Sequence, residues 1–181
     1  MKTLLEPFLE QVAANPDREA IVQTRRGRDH AVTFDELENR SARAAGLLKE
    51  AGVGPGDRVL VLEPMGIDLY TILLAVFRLG AAAVFIDLSA GRKAIAGATA
   101  TAHCSALVAD WRVAWARLLL RPARKIPKVF SVGAPAPFAR GWRPEGAPRA
   151  EVAGVGPKQP ALLTFTSGST GLPKGIVRTH G

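Results

Sequence analysis

From Arg58 onward the chain alternates short, uniformly apolar runs with segments of helical period: "RVLVLE", "IDLYTILLAVFRL", "AAAVFID", "GRKAIAGATATA", "SALVAD". A run that is apolar at every residue, rather than at every second one, suits a strand covered on both faces. Parallel neighbours of that kind need crossover connections, and the helical segments between the runs supply them. The pattern predicts an α/β fold with a mostly parallel sheet and helices on both faces. A helix carrying Trp111, Trp115, Leu118 and Leu119, then the strand "KVFSV", continue the alternation. "ALLTFT", at 161–166, adds one more buried strand.

The first fifty residues read differently. Leu5, Phe8, Leu9 and Val12 recur at helical spacing, and that helix should end near "ANPD". "AIVQT" and "AVTF" flank the polar stretch "RRGRDH" and predict a hairpin. Thr33 and Glu36 have capping-box spacing, so a helix should run from about Phe34 to Ala51, with Gly52 as its left-handed cap. Residues 133–159 shift to Pro, Gly, Ala and Arg without any period and read as an irregular connector within a single unit spanning 1–181.

Composition bounds the function. A chain of 181 residues with 48% apolar and 22% charged residues has the profile of a folded protein. Cys104 is the sole cysteine, which excludes an intrachain disulfide and a thiolate zinc cluster. Glu6, Pro7 and Glu10 break up any signal-peptide core, and "YTILLAVF" falls far short of the roughly 20 residues a membrane span needs. The expectation is a soluble, cytoplasmic protein. The formal charge is +8, and no acid lies between Asp110 and Glu145, while Arg112, Arg117, Arg121, Arg124, Lys125, Lys128, Arg140 and Arg143 do. A non-catalytic basic module binding anionic polymer or a membrane surface through Arg112 to Arg143 is the competing reading; no specific nucleic-acid motif accompanies it.

The stretch "TSGSTGLPKG", Thr166 to Gly175, carries the chemistry. Gly168 and Gly171 let backbone N–H groups approach an anion closely, in the concave arrangement that binds phosphate. Ser167, Ser169 and Thr170 add hydroxyl donors, and Lys174 adds a mobile positive charge. The Walker pattern is excluded because Pro173-Lys174-Gly175 stands where Gly-Lys-Ser/Thr is required. "GVGPGD", at 52–57, follows a helix and precedes a strand, the reverse of a dinucleotide fingerprint.

This loop resembles the phosphate-loop signature of the adenylate-forming superfamily, which includes acyl-CoA synthetases and peptide-synthetase adenylation domains. Thr33 to Asp87 is similar to that superfamily's opening segment, and "RTHG" to the tail that follows the loop. Leu88 departs from it, standing where many members have proline. The resemblance implies an ATP-dependent carboxylate ligase, using Mg2+ and ATP to form an acyl-adenylate and then a thioester, with coenzyme A as thiol acceptor and a fatty acid as one possible acid. It implies that Thr166, Ser167, Gly168, Ser169, Thr170, Gly171 and Lys174 hold the β- and γ-phosphates. It also places the metal, ribose and catalytic-lysine motifs in a C-terminal part beyond these residues. The expectation is therefore the N-terminal part of an adenylate-forming fold, without catalytic residues of its own and inactive without that C-terminal part. Its sheet is expected to have an open apolar edge at "LLTFT". His103 and Cys104, being adjacent, should point to different faces, a surface histidine beside a core cysteine. Trp111 and Trp115 are expected to be packing anchors, and the role of His180 stays open.

Overall fold

The computed structural model describes residues 3–25, 27–86, 91–119, 121–166 and 174–181. Helix α1 (Glu6–Ala14) leads into an antiparallel hairpin, β1 (Glu19–Arg25) and β2 (Arg28–Thr33). Arg25 pairs directly with Arg28, so the turn takes only two residues, with Gly27 at φ +73°. "RRGRDH" is thus mostly strand: polar side chains suit a ribbon exposed on most of its surface, as its charged residues are. Helix α2 (Phe34–Glu50) starts with the full capping box. Glu36 N–H donates to the Thr33 hydroxyl at 3.2 Å, and Thr33 N–H to the Glu36 carboxylate at 3.0 Å. It ends at Gly52, φ +77°.

The main sheet has seven strands in the order β7-β6-β5-β3-β4-β8-β9. They are β3 (Arg58–Leu62), β4 (Ala82–Ile86), β5 (Ala106–Asp110), β6 (Lys128–Val132), β7 (Arg140–Gly141), β8 (Pro160–Thr166) and β9 (Lys174–Thr179). All neighbours are parallel except β8 and β9, which are antiparallel. Helix α3 (Ile67–Arg78) joins β3 to β4, and α4 (Gly91–Ala102) joins β4 to β5. Short α5 (Trp111–Ala116), a 3-10 turn (Arg117–Leu119) and α6 (Arg121–Arg124) lead to β6. The single long helix expected around Trp111 and Leu119 is therefore broken. Pro122 lacks a backbone donor, and Arg117 turns inward to give hydrogen bonds to the Pro137 and Phe138 carbonyls.

Strand residues alternate strictly between two cores. Val59, Val61, Ala83, Val108 and Phe130 face α2 and α3 with Leu48, Ile72 and Val76. Leu60, Val84, Leu107, Leu163 and Phe165 face the other way, toward Ile95 and Ala98 of α4 and Ala114 of α5. Both faces of the central strands are covered, which is why their sequences are apolar throughout.

Two expectations change. Strand β8 has no open edge: β4 pairs on one side and β9 on the other, because the chain reverses through the loop and returns at once. The free edge belongs to β9, where Ile176 and Val177 are half exposed. Segment 133–159 is irregular, yet fastened. It holds β7 and a 3-10 turn (Pro144–Gly146), and from Glu145 on it is bonded across α2 and α3. Its order comes from partners distant in sequence, which leaves no local period to read. Among the described residues no helix is long and apolar enough to cross a membrane.

Candidate functional site

Parallel strands deliver their carboxyl ends to one edge of a sheet. There a binding crevice opens where neighbouring strands send their connections to opposite faces. Here β3 sends its connection to the α3 face, while β4 and β5, on either side of it, send theirs to the α4–α5 face. The carboxyl ends of β3, β4, β5 and β8 thus form the candidate site.

Strand β8 brings the chain to that edge, with Phe165 buried between the sheet and the α4 face. The register closes with Thr166 paired to Lys174, so a seven-residue loop is held at its base by two strands. Ser167, Gly168, Ser169, Thr170 and Gly171 lie outside the described residues, as do the side chains of Thr166 and Lys174. The backbone brings Thr166 and Lys174 opposite each other at the mouth of the loop. Across the loop's base, Gly175 lies against Phe165: a Cβ there would come 3.2 Å from the ring.

A residue that the sequence reading passed over as the end of "RVLVLE" stands at the same edge. Glu63 follows β3, the middle strand, and its Oε2 is buried without a hydrogen-bond partner among the described residues. Burial first, then Asp68 and Asp110, push its carboxyl up to about 7, with Arg25 opposing. A charged residue closing an unbroken apolar run was the available signal. Asp110, at the end of β5, is committed to its own helix: its carboxylate accepts Arg112 N–H at 2.9 Å and lies 3.9 Å from the Arg112 guanidinium. A cavity of about 470 Å³ opens between α2 and the end of β6, lined by Arg40, Arg43, Asp68, Gly133 and Trp142.

His180 is not part of this edge. Thr179 pairs with Pro160, at the start of β8, so His180 lies at the opposite end of β9 from the loop. Its ring is 1% exposed, meets Phe77 edge-on at 6.0 Å, and has no partner for either nitrogen among the described residues. Burial lowers its pKa, so the neutral ring is the favoured form. His103 is exposed and Cys104 buried, as adjacency predicts. Burial pushes the Cys104 thiol up to about 12, which makes it inert as a nucleophile. Trp115 is half exposed and donates to the Pro135 carbonyl at 3.3 Å. The basic run does not form one face. Arg112 reaches Asp110, Arg117 is buried, Lys128 donates to the Gly52 carbonyl, and Arg140 reaches Glu50 at 3.2 Å.

No group of three or more His, Cys, Asp and Glu able to hold a metal occurs among the described residues. The loop's donor set, hydroxyls, glycine amides and one ammonium, suits phosphate oxygens.

Comparison with known proteins agrees with the fold. The chain is 35% identical over 180 residues to a salicyl-AMP ligase / salicyl-S-ArCP synthetase of Mycobacterium tuberculosis, covering 91% of this chain and 31% of that protein. It is 33% identical over 189 residues to a pyochelin synthetase of Pseudomonas aeruginosa, covering 99% of this chain and 11% of that one. The acetoacetyl-CoA synthetase structure from Streptomyces lividans superposes with a TM-score of 0.87 at 25% identity, over 99% of this chain and 30% of that one. The chain thus spans a third or less of these proteins. Residues 8–181 match the family described as AMP-binding enzyme, and the chain belongs to that adenylate-forming family.

Proposed function

We propose that this chain supplies the triphosphate-holding part of an ATP-dependent carboxylate ligase, with residues 166–174 as the phosphate loop. The observation that carries the reading is the backbone pairing of Thr166 with Lys174 at the carboxyl end of β8, on either side of the sequence "SGSTGLP". Membership of the AMP-binding family supports it.

In this reading a carboxylate oxygen attacks the α-phosphorus of ATP, the bond to the bridging β-oxygen breaks, and pyrophosphate leaves with both electrons of that bond. A thiolate then attacks the acyl carbon and AMP departs. The amides of Gly168 and Gly171 and the hydroxyls of Ser167, Ser169 and Thr170 hold the β- and γ-phosphates. Lys174 offsets the charge that accumulates on the leaving pyrophosphate. Magnesium bound to the triphosphate would add further charge compensation. The substrate is proposed as a carboxylic acid, a class within which fatty, aryl and amino acids compete, and the acceptor as a thiol of coenzyme A or of a carrier protein. The named relatives include both a salicyl-AMP ligase and a CoA synthetase, which supports that breadth.

Charge-assisted hydrogen bonds contribute about 1.5–3 kcal/mol each, and association costs about 4 kcal/mol or more, so the loop alone should hold ATP at millimolar strength or weaker. Phosphorus NMR of Mg-ATP with the 181-residue chain should show broadening that is strongest at the β and γ resonances, reduced in Lys174→Ala and Ser169→Ala. Absence of broadening, or broadening as strong in both variants as in the parent, would refute the assignment.

A further inference from the structure

A second site lies at the opposite edge of the sheet, and the phosphate loop has no part in it. The α4 helix ends at Ala102, and the turn through His103 and Cys104 enters β5 at its amino end. Beside it, α6 and Lys125 enter β6 at the same edge. Between them is a cleft of about 520 Å³, lined by Thr99, His103, Arg121, Pro122, Lys125 and Ile126. That volume lies within the range of small-molecule sites and far exceeds what a free inorganic anion fills.

The charge in this cleft is one-sided. Residues 88–109 and 111–144 contain no Asp or Glu, and Asp110 between them stands at the far end of β5. Arg121 and Lys125 are exposed and have no ion-pair partner among the described residues, whereas Arg112 and Arg140 have one. His103 is held on the rim by a left-handed backbone, φ +49°. Arg124 adds a further positive charge nearby: after burial, it is what lowers the pKa of Arg117. The Thr99 hydroxyl is already spent on the Ile95 carbonyl, at 2.7 Å, so the donors available to a ligand are the cationic side chains. Ile126, Pro122 and the buried Cys104 provide an apolar floor.

We infer that the cleft between α4 and α6 binds a phosphate monoester, its dianionic head between Arg121 and Lys125 and its organic body over Pro122 and Ile126. An arginine fork and a lysine point charge together match a dianion better than a single carboxylate. The monoester could be a nucleotide or a non-nucleotide phosphate; their shared chemistry is the head group and an apolar body.

The test is titration of the isotope-labelled 181-residue chain with phenyl phosphate, AMP and inorganic phosphate, followed by amide NMR in a Lys174→Ala background that weakens the phosphate loop. Both monoesters should shift the amides of Thr99, His103, Cys104 and Ile126, and inorganic phosphate should bind more weakly. AMP binding better than phenyl phosphate would assign the site to nucleotides, and the reverse to non-nucleotide esters. Arg121→Gln with Lys125→Gln should weaken phenyl phosphate by about tenfold or more, the loss of one to two charge-assisted contacts. Both side chains are exposed, so the fold should be kept. As a measurement that needs no variant, affinity should fall as salt shortens the Debye length from about 10 to about 3 Å. Shifts that are absent, insensitive to both the double substitution and salt, or confined to residues flanking the phosphate loop would overturn the inference.

Discussion

The two layers that cover the sheet differ in how they are held. The α2–α3 layer is long and cross-braced: Arg78 is buried, donates to Glu38 at 2.6 Å and to the Ala150 carbonyl at 3.2 Å, and Arg149 takes the other Glu38 oxygen. The backbone of 145–155 is stitched on by Arg43 to the Glu145 and Ala147 carbonyls and by Ala153 N–H to the Arg78 carbonyl. The α4–α6 layer combines an alanine-rich α4 with two short helices, and Arg121 and Lys125 face solvent instead of carboxylates. The first layer spends Arg43, Arg78 and Arg149 on internal bonds; the second commits Arg117 in the same way but leaves Arg121 and Lys125 without an ion-pair partner among the described residues. A rigid brace and a charged open cleft are thus kept on separate faces of one sheet.

The largest effect should come from the brace itself. Gly46 sits mid-helix in α2, and a Cβ there would lie 1.7 Å from the Pro148 carbonyl oxygen, backbone against backbone. Gly46→Val should cost about 4 kcal/mol or more, since neither partner can swing aside. The measurement is denaturant unfolding, with amide exchange at Ala147 and Ala150 reporting release of the strap. A variant within about 1 kcal/mol of the parent would mean that the strap is loosely seated and the contrast between layers is false.

A charge comparison sharpens the same contrast. Arg78→Met leaves the Ala150 carbonyl without its guanidinium donor and Glu38, itself only 12% exposed, with Arg149 alone. Breaking such a buried pair costs about 3 kcal/mol. Arg121→Gln, on the open layer, should change stability by less than about 0.5 kcal/mol. Equal losses at the two positions would place Arg121 in an internal network and would weaken the case for a ligand in its cleft.

The parts of this architecture that sequence could show are those held by local rules. The capping box at Thr33 and Glu36, the glycine after α2, the apolar runs of β3 to β6 and the boundaries of α4 all follow from spacing within a few residues. What could not be read depends on pairing across the chain. The 145–155 strap is ordered by Arg43 and Arg78, about 70 to 100 residues away, and its own sequence carries no period. Strand β9 was missed because "KGIVRT" looks like a loop's tail until β8 supplies its partner. At the candidate site, the glycines and hydroxyls of the loop lie outside the described residues, and only the pairing of Thr166 with Lys174 is on view. Glu63 was not legible in the sequence, because its raised affinity for a proton arises from burial and from Asp68 and Asp110, which only the fold brings near.

A small effect is expected at Glu63, and its pH dependence separates it from the others. Its carboxyl titrates near 7 in the folded chain, above the ordinary 4.5, so the folded state holds this proton more tightly than the unfolded state does. Stability from this group is therefore fully present below about pH 4.5 and is lost as pH rises toward 7. Glu63→Gln removes the ionisation and keeps the shape, so it should leave stability unchanged in acid and raise it at pH 8. With the carboxyl partly solvated, the gain should be about 1 kcal/mol after screening. Arg78→Met, in the braced layer, is the comparison variant at pH 5 and pH 8. Urea midpoints of both variants at the two pH values decide the matter. A Glu63→Gln gain that is equal at both would show that the carboxyl does not change charge between them and would overturn its raised proton affinity.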